Sequence, residues 1–200
     1  MKYRSLLFFL LIVLFTAPQA ALAVDAQYFF AGGNTLFNDG KYDDAIKAYS
    51  RAIALNPNLS DAYVNRGLAY YRTGKLDEAV ADFTKALEFS PDSAELYHNR
   101  GLAFLKKGRY DEAIEDETKA VTLSPKLAEA YHNRGVAFAR KGRYDEAIDD
   151  YNKAIGLRPG YPEALFSRGV AYVKKGAVDF RKVCDMGDKR ACENLKQITE

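Results

Sequence analysis

One repeat length governs this chain. Glycine recurs at Gly33, Gly67, Gly101, Gly135 and Gly169, and again at Gly40, Gly74, Gly108, Gly142 and Gly176, each column advancing by the same interval. Pro57, Pro91, Pro125 and Pro159 keep that spacing, as do Ala45, Ala79, Ala113 and Ala147, and then Ala52, Ala86, Ala120 and Ala154. Columns that agree on one length mark a repeated unit too small to bury its own apolar face, which must stack on its neighbours. Inside each unit two short helices are expected, because residues such as Tyr63, Leu68, Tyr70 and Tyr71 fall at helical spacing with polar residues between them. Gly74 would end the first helix in a left-handed conformation, Asp77 would cap the second as Asp43, Asp111 and Asp145 would in their units, and Pro91 would close it. A glycine inside a helix costs about 1 kcal/mol relative to alanine. Close approach of the two helices offsets that cost if Gly67 faces Ala79 and Ala86, with Tyr63, Tyr70 and Phe83 filling the space around them.

Tyr63, Gly67, Tyr70, Ala79, Phe83, Ala86 and Pro91, repeated at the same spacing downstream, resemble the tetratricopeptide repeat signature. Residues 26–59, 60–93, 94–127 and 128–161 form four such repeats, and a fifth begins at 162. The resemblance implies an all-α fold, an α-solenoid of stacked antiparallel helix pairs with four full repeats plus a shortened fifth. It implies a binding scaffold without specifying the partner.

The segment 1–23 reads differently. A short basic start with Lys2 and Arg4, an unbroken apolar run from Leu6 to Phe15, and Ala21-Leu22-Ala23 make a three-part secretory signal, cleaved between Ala23 and Val24. Pro18 interrupts the run before the roughly 20 apolar residues a membrane span requires. The competing reading is an uncleaved anchor. The expected organisation is a signal peptide over 1–23, a solenoid over 24–176 and a shortened hairpin with a capping helix over 177–200, in a periplasmic or secreted protein.

Departures between repeats carry information of their own. Arg66, Arg100, Arg134 and Arg168 precede the helix glycine where the resembled family has leucine, and Asp82, Asp116 and Asp150 recur on the second helix. The first repeat lacks both, with Gly32 and Ala48 instead, so ion pairs Arg66–Asp82, Arg100–Asp116 and Arg134–Asp150 are expected. As exposed pairs they would contribute about 0 to 1 kcal/mol each and set hairpin geometry. Glu117 occupies the column of Tyr49, Phe83 and Tyr151; a buried carboxylate there must reach solvent or a basic neighbour.

In the resembled family the first helices line a concave groove. That resemblance gives a floor of Leu68, Leu102, Val136 and Val170 with Tyr71 a turn further on, one rim of Asp61, Glu95, Glu129 and Glu163, and another of Arg72, Lys106, Arg140 and Lys174. The two rims stand three helical turns apart on each helix, or about 16 Å, a width that suits a peptide with opposite charge on its two edges. Asn65, Asn99 and Asn133 stand on the groove wall. They resemble the asparagine ladder of O-linked N-acetylglucosamine transferases, which holds peptide backbone; the alternative is that they bond neighbouring helices. A chaperone-type carboxylate clamp is absent: Asn34 and Asn65 match it, but Phe30, Glu95 and Asn99 stand where basic residues belong. His98 and His132 share a column facing the groove, as surface histidines, a pH-dependent element of binding or, less simply, a metal pair lacking a third ligand.

Gly187 and Asp188 precede a last amphipathic helix whose apolar stripe is Ala191, Cys192, Leu195 and Ile198. Ahead of it, Asp179-Phe180 echoes Asp150-Tyr151, but part of the turn and helix start is missing. This tail resembles the cysteine-bearing hairpins of Sel1-like proteins. In an oxidising compartment an even cysteine count favours a Cys184–Cys192 disulfide; a redox or nucleophilic cysteine is the alternative, with neither a Cys-x-x-Cys spacing nor a neighbouring histidine to activate it.

Charge and residue supply narrow the function. Of 29 Lys and Arg, Lys2 and Arg4 leave with the signal, so 27 face 27 acidic residues and a non-specific grip on nucleic acid is not expected. Two histidines and no Gly-rich phosphate loop, serine elbow or carboxylate–histidine cluster argue against an enzyme, a cofactor or a metal centre. The expected partner is a protein or peptide held in the groove. A structural adaptor working through the convex face or by self-association is the alternative.

Overall fold

The computed structural model describes residues 25–199; the predicted signal and its cleavage site lie outside the described residues. Every regular element among them is an α-helix. The order is α1 (25–38), α2 (Tyr42–Leu55), α3 (Ser60–Thr73), α4 (Leu76–Phe89), α5 (Ala94–Lys106), α6 (Tyr110–Leu123), α7 (Ala128–Arg140), α8 (Tyr144–Leu157), α9 (Pro162–Asp185) and α10 (Lys189–Thr199). They fall into two compact units, one ending at Pro91 and the other starting at Asp92. The first unit holds the hairpins α1/α2 and α3/α4, and the second holds α5/α6, α7/α8 and α9/α10.

The first four hairpins close where the period demands. Gly74 adopts φ 79° after α3, and the Lys75 N–H donates back to the Tyr70 carbonyl at 2.9 Å. The helix glycines are spacing devices. A Cβ on Gly67 would stand 2.8 Å from Phe83 Cε1, and one on Gly135 would stand 2.7 Å from Tyr151 Cε1. Ala79, Ala86, Ala147 and Ala154 are buried around these contacts, as the columns implied.

The expected aspartate caps do not form. Lys41, Lys75, Arg109 and Arg143 stand at the N-caps of α2, α4, α6 and α8, with no side-chain cap hydrogen bond. The aspartates lie inside the first turn, where their charge meets the helix dipole. Three of them accept from a lysine of the next repeat: Lys75, just past α3, to Asp43, Lys141, just past α7, to Asp111, and Lys175, within α9, to Asp145.

The three arginine–aspartate pairs form as the columns required, but they are not exposed. Asp82, Asp116 and Asp150 are all buried. Arg66 Nε and Nη2 each donate to Asp82 at 2.8 Å, while Nη1 reaches back to Ser50 Oγ at 3.0 Å. Each guanidinium also lies between two rings of its own helix, Tyr63 and Tyr70 at 5.7 Å for Arg66 and Tyr131 and Phe138 at 5.6 and 5.9 Å for Arg134. Arg66 thus joins the two helices of its hairpin and the second helix of the preceding repeat, as Arg134 does through Thr118.

The fifth repeat departs from the expected hairpin. With the turn residues deleted, the chain does not reverse at Gly176; α9 runs through it for 24 residues, and the reversal comes instead at Gly187, whose φ is 96°. Asp188 Oδ1 then caps α10, accepting from the N–H groups of Arg190 and Ala191 at 2.9 and 3.1 Å. A Cys184–Cys192 disulfide ties α10 to the end of α9, and Ala177 and Ala191 are buried. No helix among the described residues is long and apolar enough to cross a membrane.

Candidate functional site

Because side chains four and seven apart share a helix face, each first helix carries its floor and rim residues in one line. In the second unit, α7 presents Val136 and Arg140, and α9 presents Val170 and Lys174 one repeat on. With Tyr151 beneath and Ser167 on the wall, they enclose an open cleft of about 390 Å³. Val170 is exposed and Val136 half-buried, while Arg140 and Lys174 stand at one edge. Such a cleft offers apolar contact along its floor and two positive charges along its side. On α5 of the same unit, Leu102 is half-buried, with Glu95 near its start and Lys106 at its end. In the first unit, α3 carries Leu68 and Tyr71 half-buried and Arg72 exposed.

The opposite rim is less open than the pattern implied. Glu129 accepts a hydrogen bond from Arg158, which follows α8, so its carboxylate is engaged within the fold. Two of the asparagines also turn inward. Asn65 Nδ2 donates to Asn34 Oδ1 at 2.8 Å, and the Tyr49 hydroxyl donates to the same oxygen at 2.9 Å. Asn133 stands beside the Glu117 carboxylate and favours its charged form. Asn99 is half-buried on α5.

The histidines are not surface groups. His98 Nδ1 lies 3.0 Å from Glu117 Oε2, with only 14% of its side chain exposed. His132 Nε2 lies 3.2 Å from Ser167 Oγ, its ring meets those of Tyr151 and Tyr161 at 5.8 and 5.1 Å, and burial lowers its pKa. Both rings are engaged inside the second unit. His98 is the basic neighbour that Glu117 required. That carboxyl is 1% exposed, lies under Gly101 and has no hydrogen bond at Oε1, so burial raises its pKa to about 7. The mismatch in its column was visible in sequence, but the partner on the preceding helix was not.

The comparisons with known proteins agree with this architecture. The TPR repeat family model matches at residues 33–74, 67–108, 101–142 and 137–176. The chain belongs to the TPR repeat family. Among solved structures, a MamA protein superposes with a TM-score of 0.72 over 87% of this chain and 90% of that one, at 27% identity. A second MamA structure gives a TM-score of 0.69 over 84% and 92%, at 28% identity. The TPR domain of OM64 from Arabidopsis gives 0.55 over 56% and 93%, at 31% identity. No curated protein matches significantly. The TPR assignment accounts for the glycine, alanine and aromatic columns.

Proposed function

We propose that the chain is an exported, non-enzymatic scaffold that holds a peptide or protein segment against the first helices of its TPR repeats. TPR proteins bind protein partners, and the apolar cleft between α7 and α9, with Arg140 and Lys174 at its edge, is the observation that carries this reading. An occupant placing apolar side chains on Val136 and Val170 and acidic groups toward the basic edge fits it best. In the other repeats the same face offers Leu68, Tyr71 and Arg72, and Leu102 and Lys106, with Glu95 on the acidic rim.

The export reading rests on the three-part segment before Val24, and the Cys184–Cys192 disulfide supports it, since such bonds persist in oxidising compartments. The same bonded hairpin suits the Sel1-like reading of the tail. A photo-reactive amino acid placed at Val136 or Val170, and separately at exposed Lys153 on α8, tests the groove in the intact organism. One partner trapped from both groove positions and not from Lys153 supports it. Trapping from Lys153 alone would transfer the function to the convex face.

A further inference from the structure

We infer that the first half of α9 is a second docking surface, which accepts an amphipathic helix of the pattern Ala-x-x-Asp-(Tyr/Phe)-x-x-Ala supplied by a partner protein. Three features of the earlier repeats reappear on α9 without the helix that completes them. Gly33, Gly67 and Gly135 each lie under an aromatic ring from the second helix of their repeat, whereas nothing stands within 4 Å of a Cβ built on Gly169. Arg66 and Arg134 each use Nη1 on the preceding repeat and the Nε/Nη2 fork on an aspartate of their own. Arg168 makes the first contact, to Asn152 Oδ1 at 2.7 Å, but its fork meets no carboxylate among the described residues. The flanking apolar column is exposed as well: Leu165 and Tyr172, 41% and 54% exposed, stand where Tyr63 and Tyr70 enclose Arg66. A shallow cleft of about 350 Å³ runs along Leu165, Gly169 and Val173 and shares Phe166, Val170 and Lys174 with the α7/α9 cleft.

Among the described residues, no segment completes the unit. Its own Asp179-Phe180 pair lies on the same continuous helix as Gly169, whereas a turn separates Gly67 from Phe83 and lets the ring fold back over the glycine. The disulfide between residues 184 and 192 sets the antiparallel alignment of α10, whose end comes level with Ala177 and leaves Leu165 to Val173 uncovered. The fold therefore states the chemistry of the absent helix in its own earlier repeats. Ala79-x-x-Asp82-Phe83-x-x-Ala86 and Ala147-x-x-Asp150-Tyr151-x-x-Ala154 are two complete examples of it. In each, the small residues admit close approach, the ring covers the glycine, and the carboxylate enters the arginine fork.

The test uses the full chain and a stapled, fluorescent peptide with the sequence of α8, Tyr144 to Leu157. The expected result is saturable binding, with amide shifts in 15N-labelled protein confined to Leu165–Val173. Affinity should fall at least tenfold with Gly169→Leu, with Arg168→Glu, or with a peptide whose Asp150 is changed to Lys. Pairing the Arg168→Glu protein with that lysine peptide should recover part of the loss. Gly169 has open space around it, so the leucine variant should keep the parent's helical content. Absence of binding at millimolar peptide, shifts centred on Val136 and Arg140, or equal affinity for the variants would overturn the inference. So would a concentration-dependent dimer that Gly169→Leu dissolves and the peptide fails to displace.

Discussion

Arg134 and Asp150 form a two-pronged ion pair across the α7/α8 hairpin, Nε to Oδ2 at 2.8 Å and Nη2 to Oδ1 at 2.7 Å, while Nη1 bonds Thr118 on α6. Burial foremost, with Asp149 and Glu146, raises the Asp150 pKa against the pull of Arg134, so removing the carboxylate from water offsets much of what the pair gains. The pair therefore fixes the geometry of hairpin and neighbour more than it adds net stability. Asp150→Ala should lower stability by about 2 to 4 kcal/mol in urea titration, because it strands a largely buried guanidinium. Replacing both partners together, Arg134→Met with Asp150→Leu, should cost much less than the single substitutions added. Strictly additive losses would mean two independent solvated charges.

The glycine column gives a contrast within one molecule. Gly135→Ala drives a Cβ into Tyr151 and should destabilise by about 1 to 3 kcal/mol. Gly169→Ala meets nothing and should stabilise by about 0.5 to 1 kcal/mol through helix propensity alone. Thermal unfolding of the two variants decides it, and equal effects would remove the role assigned to close approach.

That contrast marks what the sequence could reveal. Gly67, Ala79, Phe83 and Pro91 recur because packing repeats, so the hairpins, their turns and the Arg66–Asp82 clamp followed from spacing alone. Two kinds of feature did not. Asp77 looks like a cap by position, yet lies inside the first turn of α4, where the backbone and not the side-chain type sets the helix start. At Gly176 the period continues while the turn does not, because the residues needed to reverse the chain are missing. The candidate groove was half legible: Val136 and Arg140 line a cleft, but Asn65 and Glu129 are engaged by Asn34 and Arg158, partners that only folding brings near.

Glu117 should make stability fall as pH rises. Its ordinary pKa is 4.5 and burial raises it to about 7, with Asp116 adding to the shift while His98 and Asn133 oppose it. The folded state thus holds the proton more tightly than the unfolded state between those values, and its contribution is full below pH 4.5 and lost by about pH 7. Glu117→Gln should be more stable than the parent by about 1 to 3 kcal/mol at pH 8 and indistinguishable from it at pH 4. A parent stability that rises from pH 5 to 7 while the glutamine variant stays flat would reverse this assignment.

Reducing the disulfide should loosen the end of the chain and little else. Cys184 and Cys192 stand 8 positions apart, a short loop for which chain entropy gives about 2.5 kcal/mol. Amide exchange in α10 and the last turns of α9 should quicken on reduction, with α5 to α8 unchanged. Uniform acceleration through the second unit would show that the bond supports the whole stack.

The groove is tested most directly by the affinity of the Arg140→Glu, Lys174→Glu double variant for whichever partner is trapped from Val136 and Val170. Calorimetry should show at least a tenfold loss of affinity with the thermal midpoint unchanged, and the parent's binding should weaken with salt. Unchanged affinity in the double variant would contradict the assignment of this cleft as the binding surface.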